Sequence, residues 1–440
     1  MAKNLHELRD PIHVFIRLSS EERKVLDSRP FQRLRYVHQL ALTYLVYPGA
    51  THRRFEHSLG VMELASRIFD VVTQAGNLTD EIRQLLPELS DTEKLSYWRR
   101  VLRMAALCHD IGHLPFSHAA EHELLPAGWD HERLTLDLLK SEEMLAIFQG
   151  MTPPVRAADV AKLAVGPKKL KSERFSSWEV ILSEIITGDA FGADRMDYLL
   201  RDSHHAGVAY GKFDHYRLID TLRILRTTPH GDEGYPEPAL GVEEGGLQST
   251  EALLLARYFM YSQLYFHHVR RIYDIHLKDF LRQWLPGGQF STATEDLLKI
   301  TDNEVTAAML KAADDPKIPG HDAARRIVCR DHFRVLYQWH PADAKVNPEA
   351  GKAVFEAARE RFGGESVRHD PYSSRGGAPD FPVQMRDGTV VSSVTASSTL
   401  AKLPLLSMDY VFIEKEKLAE AREWLRTNKD EIIRPMEETE

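Results

Sequence analysis

The chain has 440 residues, of which 43% are hydrophobic and 28% are charged, a balance typical of folded globular proteins that excludes global disorder. Its formal net charge of −9 argues against non-specific nucleic-acid binding as the main activity, because such binding needs concentrated Lys and Arg. Cys108 and Cys329 are the two cysteines, which excludes a disulfide framework and a cysteine-rich zinc module. Since no signal peptide and no membrane-spanning apolar run is found, we expect a cytoplasmic protein without membrane contacts.

Helical periodicity dominates the first three quarters of the chain, where apolar residues recur at the spacing of one buried helix face. The last helical segment is expected to be the longest, because it contains neither Gly nor Pro. The segments predicted as helices are residues 55–73, 92–112, 176–189, 193–207 and 249–284.

The composition changes in two places. Residues 229–246 are rich in Gly, Pro and acidic residues, which predicts a turn or short hairpin on the surface. After about residue 331 the pattern alternates as in strands, with Asp387-Gly388 as a hairpin turn signal, and a helix follows near the end. We therefore expect a mainly α-helical body over residues 1–330 and a small α+β appendage over residues 331–440.

The densest histidine region is residues 106–132. A His-Asp pair occurs three times in the chain, so the dipeptide alone is not informative. Only His109-Asp110 follows a strongly apolar helical segment, where an unpaired buried carboxylate is costly and a metal ion or an arginine is the expected partner. The alternative is that these histidines are ordinary capping and core residues.

Adjacent residues of a helix point about 100° apart, so His109 and Asp110 can hold one cation only together with ligands from other helices. His57 and Asp194 are the candidates, because each lies among the apolar residues of a predicted helix. Two imidazoles and two carboxylates form a mixed nitrogen and oxygen site. Such a site suits Fe, Mn, Zn or Mg better than a closed thiolate zinc site does.

Three motifs in this order carry a resemblance to a known family: "RRFEHSLGV", "LCHDIGHLPFSH" and "ADRMDYLLRDSHHAG". The order H…HD…D resembles the metal-dependent phosphohydrolases that have an HD domain. Residues 31–61 resemble more narrowly its deoxynucleoside triphosphate triphosphohydrolase branch. The resemblance implies an HD-domain body with its metal motifs within residues 54–203, and cleavage of dNTPs at the α-phosphate into deoxynucleoside and tripolyphosphate. It implies a resident divalent metal held by His57, His109, Asp110 and Asp194.

The resemblance also implies catalytic residues that act on the phosphate. His113 and His131 occupy the matching positions, and a histidine with a pKa near neutrality can protonate or stabilise the leaving oxygen. Glu121 stands where the family has an Asp that orients a catalytic histidine, and it keeps the carboxylate. His118 and His122 are expected to be structural or supporting residues.

Substrate contacts are implied by the same resemblance. Arg54 and Arg195 would hold phosphate oxygens through guanidinium forks, with Arg195 at a position where vertebrate members have Lys. Tyr265 would pack against C2′ of the sugar and exclude ribose, and His267 lies near it in the sequence. Without the resemblance, the tyrosines would be interpreted as core aromatics at helical spacing. The implied substrate residues are Gln39, Arg54, Arg195, Tyr198, Asp202, Tyr265 and His267.

Regulation is the last implication. In vertebrate members a guanine nucleotide effector lies near a dimer interface, at positions that match Asp27, Gln32 and Arg35 in this chain. The resemblance therefore implies a homo-oligomer, a dimer or tetramer, with GTP or a dNTP as effector. His6 and Glu7 replace a lysine and a valine of the upstream half of that site, and Glu7 would repel a triphosphate.

Two alternatives remain open at this point. The same metal site could act on another nucleotide phosphoester, such as a dNMP or a signalling nucleotide, since motifs do not fix the substrate. The chain could instead be a nucleotide-sensing or single-strand-binding module, for which the basic residues 166–174 are the best feature. The reaction product distinguishes these hypotheses, because only the first predicts tripolyphosphate.

Overall fold

The computed structural model describes residues 5–116, 121–227, 237–373, 379–404 and 406–434. Within these ranges the chain is mainly helical with small sheets, which confirms the predicted fold class. Two compact units are formed, and the predicted boundary between residues 330 and 331 lies inside the second of them. Unit one comprises Met1–Met260, Phe290–Glu304 and Ala378–Leu403, and unit two comprises Tyr261–Gln289, Val305–Gly377 and Pro404–Glu440.

The helices are named here in chain order. The first eleven are α1 Ser20–Leu26, α2 Arg29–Gln32, α3 Arg54–Val72, α4 Asp80–Leu85, α5 Thr92–Cys108, α6 Glu121–Leu124, α7 His131–Leu139, α8 Glu142–Gln149, α9 Ala157–Val165, α10 Ser177–Thr187 and α11 Ala193–Ala206. They are followed by α12 His215–Asp220, α13 Leu247–Met260, α14 His268–Trp284, α15 Thr294–Leu297, α16 Asp302–Asp314, α17 His321–Val328, α18 Pro341–Val346, α19 Ala350–Phe362, α20 Ser393–Ala396, α21 Ser398–Ala401 and α22 Leu418–Ile432.

The strands form small sheets in both units. They are β1 Leu5–Asp10, β2 Val14–Ser19, β3 Leu222–Arg226, β4 Pro238–Glu243, β5 Arg334–Gln338, β6 Val367–Ser373, β7 Pro382–Gln384, β8 Val390–Ser392 and β9 Ser407–Ile413.

Helix α3 is the central helix of unit one, and it packs against α5, α10 and α11. It is buried along most of its length, so that both apolar and polar side chains of the helix face other elements. Its first turn is capped by Glu56, whose carboxylate accepts the backbone N–H of Arg53 at 2.7 Å. The helices predicted over residues 55–73, 92–112, 176–189 and 193–207 correspond to α3, α5, α10 and α11.

The chain returns to unit one at residues 290–304, where Asp302 fixes two loops. Its carboxylate accepts the backbone N–H and Nδ1 of His38 at 2.8 and 2.6 Å, and the backbone N–H of Phe116 at 2.8 Å. Phe116 has a φ of 54°, in the left-handed region that non-glycine residues rarely adopt. Asp302 therefore holds the strained end of the loop that follows α5.

β3 and β4 pair as antiparallel strands in unit one. Of the turn or short hairpin predicted over residues 229–246, residues 229–236 lie outside the described residues, and β4 is mostly buried. The predicted hairpin at Asp387-Gly388 forms between β7 and β8, with Gly388 at a φ of 88°. β7 pairs in parallel with β4, so this hairpin belongs to unit one and not to a C-terminal appendage.

The long helix predicted near the end of the helical body differs from the structure. Instead of one helix over residues 249–284, α13 ends at Met260, a π-helical turn spans Tyr261–Tyr265, and α14 begins at His268. The break needs neither Gly nor Pro, because His267 caps the new helix by accepting the backbone N–H of Val269 at 3.3 Å. Unit two also contains the antiparallel sheet β5-β9-β6, with α19 and α22 packed on it.

Candidate metal and phosphate site

The start of α3 is placed by a short backbone pairing between residues 37–39 and 52–54. The N–H of Gln39 donates to the carbonyl of His52, and the N–H of Arg54 donates to that of Val37, both at 3.0 Å. Arg54 and His57 are one helical turn apart and both are buried. The first turn of α3 thus directs an arginine and a histidine to the same place.

The His109-Asp110 pair lies in the tight turn that ends α5. His109 Nδ1 hydrogen-bonds to the carbonyl of Ala106 at 2.8 Å, which leaves its Nε2 facing outward from the helix end. Gly112 is required in this turn, because a Cβ there would lie 2.2 Å from the carbonyl oxygen of His131 and 2.4 Å from the backbone nitrogen of Thr135. The turn therefore packs directly against the start of α7.

The structure brings all four predicted metal ligands together in what we call the metal group: His57, His109, Asp110 and Asp194. One ligand atom each of His57, His109 and Asp110 lies within 4.8 Å of the others. Asp194, in the first turn of α11, places its Oδ1 3.0 Å from His57 Nε2 and 3.6 Å from His109 Nε2.

A divalent cation fits this donor set. His109 Nε2 is buried and lies 3.3 Å from Asp110 Oδ1 and 3.6 Å from Asp194 Oδ1, where it makes no hydrogen bond of good geometry, so a cation between these atoms would satisfy it. Two imidazole nitrogens and two carboxylates face one another around it, and this combination serves Fe, Mn, Zn and Mg alike.

The charges in the metal group are strongly coupled. Burial opposes ionisation of Asp110, but the neighbouring His109 and Arg54 hold its pKa well below the usual range. Burial likewise opposes protonation of His57, yet hydrogen bonds to Asp194 and Asp197 outweigh it and raise the His57 pKa to about 10. The carboxylates are therefore ionised, and their negative charge favours a cation between them.

Beside the metal group lies what we call the proton group: His113, Glu121 and His131. Glu121 Oε1 accepts both Nδ1 and the backbone N–H of His131, at 2.6 and 2.7 Å. The rings of His113 and His131 stack with centroids 3.9 Å apart and an interplanar angle of 16°. His113 Nε2 lies 3.0 Å from Asp110 Oδ1, so the two groups share one contact.

The two imidazoles of the proton group differ in protonation. Burial, together with the nearby Arg54 and His131, lowers the pKa of His113 well below its usual value. Burial also opposes protonation of His131, but the hydrogen bond and charge of Glu121 raise its pKa. The stack therefore pairs a neutral ring with one that keeps its proton, which is the arrangement that a general acid needs.

The two predicted phosphate clamps lie beside the metal group. Arg54 is buried and donates from its guanidinium to Asp110. Arg195 follows Asp194 on α11, is half-buried, and donates to the carbonyl of Gly188 at 3.3 Å.

Gln39 and Asp202, two of the predicted sugar contacts, both hydrogen-bond to His52, which the sequence analysis did not indicate. His52 Nε2 pairs with Asp202 Oδ1 at 2.7 Å, and the carbonyl of His52 accepts the N–H of Gln39. Tyr198 lies on the same helix as Asp202 and is half-buried. Gln39 and Asp202 are thus held on either side of His52.

Tyr265 and His267 belong to unit two, and their contact with the sugar stays a prediction. His118 lies outside the described residues, as does the side chain of His122 in α6.

The predicted effector residues make local contacts. Arg23 donates to Asp27 at 3.2 Å, Gln32 Nε2 donates to the carbonyl of Leu26 at 2.7 Å, and Arg35 donates to Gln32 Oε1 at 2.8 Å. The Arg35 guanidinium also stacks 3.5 Å over the ring of Phe55. A guanine bound here would exchange these contacts for its own.

Sequence reasoning missed the residues behind the metal group. Asp197 lies 2.8 Å from His57 Nδ1 and accepts a hydrogen bond from Arg201. Arg201 also donates to Asp10, and His13 contacts Asp197. Asp197 had a signal, because it lies three residues after Asp194 on a predicted helix. Asp10 and His13 had none, since nothing local in the sequence connects the first hairpin to α11.

The comparisons with known proteins agree with this geometry. The HD domain family matches residues 54–165, and the HD-associated region matches residues 213–353. The first match contains three residues of the metal group and all of the proton group.

The chain belongs to the HD-domain family.

Relatives lie in archaea, bacteria and vertebrates. An uncharacterized protein of Methanocaldococcus jannaschii is 38% identical over 62% of this chain and 48% of its own length. The deoxynucleoside triphosphate triphosphohydrolase SAMHD1 of Mus musculus is 27% identical over 97% of this chain and 64% of its own length. The chain thus spans less than two thirds of both relatives. A hypothetical protein from Aquifex aeolicus has a solved structure with a TM-score of 0.76 and 32% identity, over 96% of this chain and all of that one.

Together, the HD domain and the buried His and Asp cluster support a metal-dependent hydrolase of the HD phosphohydrolase superfamily. Within the described residues, no helix is both long enough and apolar enough to cross a bilayer.

Proposed function

We propose that the protein is a metal-dependent dNTP triphosphohydrolase that releases deoxynucleoside and tripolyphosphate. The observation that carries the proposal is the contact between the two groups, where Asp110 of the metal group lies 3.0 Å from His113 of the proton group. A cation-binding set and a proton-donating set at this separation suit the attack of water on a phosphate and the protonation of the oxygen that leaves. The similarity to dNTP triphosphohydrolases over most of the chain supports the choice of substrate.

Each group has a separate role in the proposal. His57, His109, Asp110 and Asp194 would hold a divalent ion, whose positive charge would polarise the attacking water and offset the charge of the phosphate. Glu121 accepts the proton on Nδ1 of His131 and raises the pKa of the ring, so that His131 also carries a proton on Nε2. His131 delivers this second proton to the leaving oxygen of the sugar. His113 stacks on His131 and keeps its ring in place.

The remaining predicted residues bind the substrate in the proposal. Arg54 and Arg195 contact phosphate oxygens, and Gln39 and Asp202 hydrogen-bond the 3′-hydroxyl from either side of His52. Tyr198 contacts the sugar in the proposal, whereas contacts of Tyr265 and His267 with the substrate stay predictions from the family resemblance.

Guanine nucleotide activation and homo-oligomer formation are further parts of the proposal. The effector would bind at Asp27, Gln32 and Arg35, where it would replace the contacts that these side chains make with Arg23, Leu26 and one another. A GTP dependence of the rate and of the mass measured by light scattering tests this part separately from the hydrolysis.

The test is product analysis on a panel of dNTPs with Mn²⁺, Fe²⁺, Mg²⁺ or Zn²⁺, with and without GTP. Deoxynucleoside and tripolyphosphate in equal amounts are expected, with no product after chelation. Release of inorganic phosphate, or hydrolysis of a dNMP or a cyclic nucleotide instead, contradicts the proposed substrate. Binding of single strands with a steep salt dependence and no hydrolysis contradicts the enzyme itself.

A further inference from the structure

We propose that Asp197 is the positioning residue of the metal site, and that the turn of the first hairpin fixes it through Asp10 and His13. The inference rests on the proposed metal site, because it concerns the orientation of one ligand of that site. It gives the β1–β2 hairpin a role in metal binding, although no residue of the hairpin belongs to the metal group.

Asp197 determines which nitrogen of His57 is available to a metal. Its Oδ2 lies 2.8 Å from His57 Nδ1, whereas His57 Nε2 faces Asp194 at 3.0 Å and Asp110 at 3.8 Å. A carboxylate at Nδ1 accepts the ring proton there, so in the neutral ring that binds a metal the lone pair is on Nε2. Asp197 therefore selects the tautomer and the ring orientation that a ligand at this position needs.

Asp197 is itself fixed by several donors. Arg201 donates from Nε to Oδ2 at 2.8 Å and from Nη2 to Oδ1 at 3.0 Å. His13 Nε2 lies 2.8 Å from Oδ1. Each oxygen of Asp197 thus has two donors, and the side chains of Asp197, Arg201 and His13 are fully buried. A carboxylate with this many contacts has one orientation.

The contacts continue into the hairpin turn. Arg201 Nη1 donates to Asp10 Oδ2 at 2.8 Å, and Asp10 Oδ1 accepts the backbone N–H groups of Ile12 and His13, both at 2.8 Å. The turn between β1 and β2 is therefore joined to α11 at Arg201 and at Asp197. A displacement of this turn would move the partner of His57.

A glycine in α3 leaves room for Asp197 and Arg201 beside the helix. A Cβ on Gly60 would lie 1.9 Å from Asp197 Oδ1 and 2.5 Å from Arg201 Nη2. Gly60 is one turn after His57 on the helix, so it lets the carboxylate approach closely enough to reach His57 Nδ1. An alanine there would push Asp197 away without removing any donor or acceptor.

Asp197→Asn removes the positioning while keeping the side-chain size. The amide NH₂ would face two donors on whichever side it took, since both oxygens of Asp197 accept two hydrogen bonds. We expect roughly a ten- to hundredfold loss of metal affinity, the usual effect of removing the partner of a metal-binding histidine.

The experiment is calorimetric titration of Mn²⁺ into the metal-free full-length protein. Wild type, Asp197→Asn, His13→Ala and His13→Gln are compared. Asp159→Asn is the matched control, because Asp159 is a buried carboxylate of unit one that accepts from Tyr97 and Arg156, away from the metal group. We expect weaker binding by Asp197→Asn and His13→Ala, wild-type binding by Asp159→Asn, and recovery in His13→Gln, whose amide keeps a donor near the place of Nε2.

The outcomes separate this inference from the proposed function. Wild-type protein that binds no Mn²⁺ overturns the metal site, and the inference with it. Wild type that binds while folded Asp197→Asn binds equally well overturns the positioning role alone, as does an equal loss in Asp159→Asn. If Asp197→Asn does not fold, Gly60→Ala replaces it, with Gly76→Ala as control because a Cβ on Gly76 meets nothing within 4 Å. Equal Mn²⁺ affinity of these two variants then contradicts the inference.

Discussion

Two groups of buried histidines lie side by side in unit one, and they differ in what completes them. In the metal group, two ionised carboxylates face the two imidazoles, and His109 Nε2 lies 3.3 Å from Asp110 Oδ1 and 3.6 Å from Asp194 Oδ1. In the proton group, His131 already has Glu121 as its partner, and its ring stacks on His113.

This difference is the basis of the proposed roles. Two ionised carboxylates that face two imidazoles suit a bound cation, whereas a histidine paired with its own carboxylate suits a proton donor. Sequence density alone could not separate the two groups, because all of these histidines except His57 lie within residues 106–132. Substitutions can therefore be chosen that change one group and leave the other intact.

The largest effect is expected from His109→Ala and Asp110→Ala. Both remove a ligand, so we expect loss of Mn²⁺ binding and at least about a thousandfold loss of dNTP hydrolysis, because the metal-dependent part of the rate acceleration disappears. Metal content and initial rates measure this, with circular dichroism as the check on folding. Folded variants that keep both metal and activity would show that the group is not the metal site.

Next in size is His131→Asn, which removes the proton donor but leaves the metal group unchanged. We expect kcat to fall by roughly 10²- to 10⁴-fold, the usual contribution of general acid catalysis, with wild-type Mn²⁺ affinity. Steady-state kinetics and calorimetry on the same preparation check it. A loss of metal equal to that of His109→Ala would mean that the two groups are one site.

Glu121→Gln tests the assignment of His131 as the proton donor through the pH dependence of kcat. Glu121 raises the pKa of His131, so the protonated acid of wild type persists to higher pH. Replacing the carboxylate lowers that pKa, and the basic limb of the kcat profile should move to lower pH while the rate at low pH changes less. An unmoved basic limb in a folded, metal-bound variant would exclude His131 as the acid.

A smaller effect is expected from Arg195→Ala. Loss of one charge-assisted contact to phosphate should raise KM by roughly ten- to a hundredfold, with metal binding intact. Arg195→Lys should recover part of this, because Lys keeps the charge but not the guanidinium fork. If KM is unchanged in Arg195→Ala, the residue serves only its contact with Gly188.

The smallest effect is expected at the basic residues 166–174. Lys168 pairs with Asp189, and both side chains are mostly exposed, at 74% and 61%. Lys168→Ala should change the free energy of unfolding by less than about 1 kcal/mol and leave the hydrolysis rate unchanged. A large fall in single-strand binding in this variant would favour the binding-module alternative.

The helices of unit one were largely predictable, because long amphipathic segments such as α3 and α11 carry a clear period. The metal group was predictable for the same reason, since His57, His109 and Asp194 lie on or at the ends of these helices. The break between α13 and α14 was not, because His267 replaces the usual Gly or Pro signal with a side-chain cap.

Contacts between residues that are far apart in the chain could not be predicted from the sequence. Asp10 reaches Arg201 across 191 positions, and Asp302 reaches Phe116 across 186. Such pairs depend on how elements pack, and no local pattern encodes them. The pairing of β7 with β4, which places residues 382–384 in unit one, was missed for the same reason.

The most direct test of the central claim is hydrolysis of a dNTP in ¹⁸O-labelled water by the Mn²⁺-loaded protein, with the products separated and weighed by mass spectrometry. If water attacks the α-phosphorus, one ¹⁸O atom appears in tripolyphosphate and the deoxynucleoside is unlabelled. Label in the deoxynucleoside, or labelled inorganic phosphate or pyrophosphate in place of tripolyphosphate, would contradict the account.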